Sequence, residues 1–139
     1  MHPGEAAKVL RTALLSLRPD ALSGRACASL AEELARTAKA CEAAAASLAG
    51  WASDRGAYRE KGFTDGAEWF ARASGSSPTA AKTAMETAWA VRECPDTKAA
   101  VMAGDVSLEQ AGIIARTSSR CRAQRLDCWM WPGARRSSR

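Results

Sequence analysis

Apolar residues recur at three- and four-residue steps along most of the chain, the spacing of one face of an α-helix. Ala6, Leu10, Ala13, Leu14 and Leu17 form such a stripe, with Lys8 and Arg11 outside it. They predict a helix over residues 5–17 that stops at Arg18-Pro19-Asp20. Ser23 can cap a second helix. No proline interrupts the pattern before Tyr58, so this helix is expected over residues 24–58, about 50 Å in length. Its inward positions read Cys27, Leu30, Leu34, Thr37, Cys41, Ala44, Leu48, Trp51, Arg55 and Tyr58, a heptad-like seam that is small-sided in the middle. Such a seam buries little area by itself. It needs either the first helix, as an intramolecular hairpin, or a second copy of the chain, as a coiled coil.

Beyond Gly56 and Gly62 the pattern breaks into shorter pieces. Thr64 or Asp65 caps a helix carrying Trp69 and Phe70, with Glu68 placed to close a capping box on Asp65. The small residues Gly75-Ser76-Ser77 then turn the chain, and Pro78 suits the first turn of the next helix with Ser77 as its cap. In that helix Ala81, Ala84, Met85, Ala88 and Val91 face inward, leaving Thr79, Lys82, Thr83 and Glu86 outward. Cys94-Pro95 stops it. Asp96 is expected to cap a short helix carrying Ala99, Ala100 and Met102 that closes at Gly104. Ser107 with Gln110 makes a capping box for a last helix whose inward residues are Leu108, Ala111, Ile114 and Ala115.

The expected fold is therefore all-α, a long N-terminal helical hairpin followed by a compact, helix-turn-helix-like bundle of short helices. Composition agrees, since 47% of the residues are apolar, alanine dominates them, and only 6% are aromatic. The 139 residues make one domain over residues 1–117, with the hairpin in 1–60 and the helix-turn-helix-like region in 63–117. Residues 118–139 form a basic tail, expected to be disordered.

Charge refines this picture. The net charge is +5, but residues 1–115 carry 13 basic and 14 acidic side chains, and residues 116–139 carry 7 basic and 1 acidic. An attraction to nucleic acid must come from the tail or from local arrangement within the neutral body. No apolar run approaches a bilayer span and no signal-peptide layout opens the chain, which predicts a cytoplasmic protein without a membrane partner. The five cysteines, odd in number and without redox or metal spacing, are expected to be reduced thiols.

The ordered set Gly62-Phe63-Thr64, Trp69-Phe70, Gly75-Ser76-Ser77, the alanine-rich residues 80–88, Cys94-Pro95 and GDVSLEQAGIIA resembles the bacterial family called domain of unknown function 222. The resemblance covers roughly residues 22–116. It implies a helical domain of the kind that precedes HNH endonuclease domains, with a second half similar to the DNA-binding helix-turn-helix of ParB-type partition proteins. This chain departs from the family at the stop, where Cys94 stands in place of a leucine, and on the recognition helix, where Lys82 is the lone cation. Hydroxyl and lysine contacts to phosphate are open to that face, but it offers no arginine for a bidentate contact to guanine.

Nuclease chemistry is not expected. An HNH site needs histidines for metal binding and general-base work, and the only histidine is His2. No catalytic residue, metal site, cofactor or small-molecule ligand is therefore predicted. From Ser118 the helical spacing gives way to arginine and tryptophan. That tail reads as a segment from another coding frame, as a cationic arm whose Trp129 and Trp131 stack on bases or lie in a membrane interface, or as a solvated end. The expected role is a non-catalytic module that binds double-stranded DNA, in a truncated member of the family without its nuclease domain. The residues expected to make contacts are Ser77, Thr79, Lys82, Thr83, Arg116, Arg120, Arg122 and Arg125. The alternatives are a homodimer formed through the 24–58 helix or a remnant without a nucleic-acid role, in either of which the helix-turn-helix is only a packing unit.

Overall fold

The computed structural model describes residues 1–117, and these are all-α: α1 (Pro3–Leu15), α2 (Gly24–Asp54), α3 (Gly66–Ser74), α4 (Pro78–Arg92), α5 (Pro95–Met102) and α6 (Leu108–Thr117). Short 3-10 turns occupy Pro19–Ala21 and Ala57–Lys61. The chain divides into two compact units, Met1–Leu34 and a second from Ala35 onward.

In the first unit His2 caps α1 by accepting a hydrogen bond from the Gly4 amide at its Nδ1, 3.2 Å away, and Pro3 fills the position where a missing donor costs nothing. The Ser23 hydroxyl accepts from the Ala26 amide at 3.2 Å and starts α2. No residue of this unit is buried; Leu10, Ala26, Cys27, Leu30 and Leu34 are half-buried, while Leu15 is 89% exposed.

The second unit holds the core. Nine of the fourteen buried apolar residues are alanines, so helices approach closely and bury little area per residue. Ala43 and Ala46 of α2 pack with Ala88 and Val91 of α4, Val101 of α5, and Leu108 and Ala111 of α6. A smaller cluster joins Ala49, Ala67 and Met85, with Trp69 and Phe70 against it. The approach of α3 to α2 is so close that a side chain at Gly66 would strike the Ser53 hydroxyl.

The structure corrects several of these expectations. First, α2 ends at Asp54 and not at Tyr58, because Gly56 adopts a left-handed backbone (φ 72°) and the chain continues as a 3-10 turn. Second, the inward register of its second half is Ala43, Ala46, Ala49 and Gly50, while Leu48 is 69% exposed. Third, Asp96 lies within the first turn of α5, whose cap position is Cys94, and Val101 is the buried residue of that helix where Met102 is exposed. On α6 Gly112 is buried in place of Ile114. Fourth, Cys94 is disulfide-bonded, so reduced thiols hold for Cys27 and Cys41 but not there.

Candidate nucleic-acid interface

The pair α3–α4 is assembled by local signals. The Asp65 carboxylate accepts from the Glu68 amide at 3.2 Å and fixes the start of α3. Gly75 ends that helix in the left-handed region (φ 70°), where both its own amide and that of Ser76 return to the Ala71 carbonyl. Ser77 then caps α4, its Oγ accepting from the Ala80 amide at 3.1 Å. Ala71 on α3 and Ala81 on α4 are both buried, and the two helices pack on each other. Met85, Ala88 and Val91 continue the inner face of α4 as expected.

Its outer face presents Ser77, Thr79, Lys82, Thr83 and Glu86, all exposed. Not every polar atom there is equally available. The Ser77 oxygen is occupied as a cap but its hydroxyl can still donate, whereas the Thr83 hydroxyl donates back to the Thr79 carbonyl at 3.0 Å and is left as an acceptor. No acidic residue lies in the first turn of α4; Pro78 has no N–H and the Ala80 and Ala81 amides return to Ser77, which leaves the Thr79 amide at the positive dipole end, with Glu68 in the groove alongside. Lys82 adds the single cation. Glu86, one turn further, sets the limit of the surface that suits a phosphate.

Arg116, exposed in the last turn of α6, is brought to this helix by a tertiary contact. A side-chain carbon at Gly112 would lie 3.1 Å from Thr87 Cγ2 and 3.5 Å from Arg116 Nη1, so the guanidinium runs over Gly112 toward Thr87, one turn beyond Thr83 on α4. Arg120, Arg122 and Arg125 lie outside the described residues.

Arg72 escaped the sequence reading. It stands exposed in the last turn of α3 and lines an open groove of about 460 Å3 with Thr64, Glu68 and Ser76, beside the turn into α4. A basic residue one turn before Gly75 was the available signal, but it reads equally well as a helix C-terminal charge.

Among the described residues no group of three histidine, cysteine or acidic side chains could hold a metal ion, and no helix is long and apolar enough to cross a membrane. Comparison with protein-family models, with curated proteins and with solved structures finds no match.

Proposed function

We propose that α3 and α4 act as a helix-turn-helix that places α4 in the major groove of double-stranded DNA, without catalysis. The observation that carries this reading is the capped N-terminus of α4, which follows a tight Gly75 turn with Ser77, Thr79, Lys82 and Thr83 exposed on one face. The Thr79 amide and Lys82 would hold phosphate, and the hydroxyls would reach base edges or backbone. Arg72 and Arg116 add cations on either side of that helix. The likeness to the domain of unknown function 222 family, in which such a region accompanies HNH nucleases, points the same way. The test is selection of a site from random duplex DNA, followed by fluorescence anisotropy with the double variant Lys82→Ala, Thr83→Ala. Loss of preference by at least about tenfold supports the reading. Failure of the wild type to bind any duplex at low salt rejects it.

A second reading is favoured by the first unit. Exposed Val9, Leu14, Leu15, Leu17 and Leu22, with no buried residue, leave two helices short of the tertiary packing that helices of this size need in water. Self-association would supply it. Sedimentation across a hundredfold range of protein concentration separates the two: a mass that stays monomeric throughout removes this alternative.

A further inference from the structure

Among the described residues, the core of the second unit is open on one side. Because α2 and α4 meet through alanines, a cleft of about 90 Å3 remains over Ala43, Ala88, Val91 and Val101, with Trp51 at its rim. A cleft of that size admits a small aliphatic group. Its rim is cationic. Arg92 and Lys98 line it, from the end of α4 and the start of α5.

Arg92 is already oriented for a ligand. Its guanidinium carbon lies 3.9 Å from the centre of the Trp89 ring and 5.6 Å from that of Trp51, and those rings stand 5.6 Å apart. Nε donates to Glu93 Oε1 at 3.0 Å, and Nη2 lies 2.9 Å from the same oxygen as an ion pair. Nη1 is bonded to nothing among the described residues, and neither is the Lys98 ammonium. The Lys98 ammonium and the Nη1 end of a guanidinium already paired with Glu93 thus stand above a small apolar floor. That combination suits a short aliphatic body ending in a carboxylate.

We infer that this cleft binds a free short branched-chain carboxylate, its alkyl group on Val91 and Val101 and its carboxylate between Arg92 Nη1 and Lys98. This departs from the expectation that the chain takes no small-molecule ligand, and it is independent of the DNA reading. The small body limits affinity to a dissociation constant of about 1 mM.

The probe is 3-methylbutanoate, titrated into the full chain while the methyl signals of Val91 and Val101 and the indole N–H of Trp51 are followed by NMR. Two arms separate the parts of the claim: 3-methylbutanamide keeps the shape without the charge, and acetate keeps the charge without the body. Both should bind at least about tenfold more weakly than the acid. Lys98→Met, at an exposed position, should weaken the acid about fivefold with an unchanged melting temperature. Ser47→Leu, which fills the cleft from its wall, should abolish the shifts. The inference is overturned if the Val91 and Val101 methyl signals and the Trp51 indole signal stay fixed to about 20 mM acid. It is equally overturned if amide or acetate matches the acid, or if Ser47→Leu leaves binding intact.

Discussion

Gly104 faces the backbone carbonyl of Arg36 so closely that no Cβ fits between them. It also adopts a positive φ of 76°, where its amide returns to Val101 and that of Asp105 to Ala100 to close α5. The contact locks the α5–α6 junction onto α2, and the exposed Arg36–Asp105 ion pair at 3.7 Å adds little to it. Gly104→Ala should therefore cost about 3 kcal/mol, combining left-handed strain with a backbone clash that no rotamer relieves. Gly75→Ala meets the same strain (φ 70°) but has nothing within 4 Å, so about 1 kcal/mol is expected. Denaturant melts of both variants check the difference; equal losses would mean that the close approach to Arg36 is absent.

On α2 the outward Leu48 and the inward Ala46 reverse the usual ranking of large over small. Leu48→Ala should change stability by less than about 0.5 kcal/mol, since its side chain is largely in water. Ala46→Leu should destabilise by about 1–3 kcal/mol, because the added carbons enter the space held by Ala88 and Ala111. Thermal unfolding decides between this register and the one with Leu48 inside, for which the two effects would be exchanged.

Helix α6 begins with a reciprocal pair in which the Ser107 amide donates to Gln110 Oε1 at 2.9 Å and the Gln110 amide donates to Ser107 Oγ at 3.1 Å. Immediately after it come Leu108 and Ala111, both buried in the main cluster. The cap therefore sets the phase with which α6 enters the core. Ser107→Ala should cost about 1 kcal/mol and Ser107→Asp much less, since a carboxylate accepts the same amide. Chemical denaturation at a single pH measures both; a cost for Asp as large as for Ala would show that something other than the cap is lost.

The contrast between these cases explains what the sequence made legible. Ser23, Asp65, Ser77 with Pro78, Gly75 and the Ser107–Gln110 pair each act within four residues of themselves, so their roles follow from local geometry. The burial register does not. Leu48 outranks Ala46 and Ala49 in hydrophobicity, but the face of α2 that enters the core is the one carrying Ala43, Ala46 and Ala49, and which face that is depends on tertiary packing. Val101 displaces Met102 for a related reason, being the compact side chain that fits between α2, α4 and α6. For the candidate interface, the α4 face was readable from helical spacing alone. The approach of Arg116 to that helix depends on Gly112 lying against Thr87, which leaves no spacing pattern, and Arg72, one turn before Gly75, reads equally well as a helix C-terminal charge.

The DNA reading can be divided into a helix contribution and a charge contribution. Each neutralised phosphate adds about −0.9 to the slope of log affinity against log salt concentration. The outward face of α4 supplies one cation, Lys82, whereas residues 118–139 contain six arginines. Deleting residues 118–139 should therefore flatten the salt dependence strongly while sequence preference survives. Lys82→Ala with Thr83→Ala should remove preference but reduce the slope only by about 1. Arg116→Ala, beside Thr87, should likewise cost about one unit of slope, with little change in preference. Titrations of the three variants against a selected site and a scrambled one, at several salt concentrations, give all of these quantities. If the deletion removes all binding and the α4 substitutions remove none, the attraction is nonspecific charge and α3–α4 serves only as a packing unit.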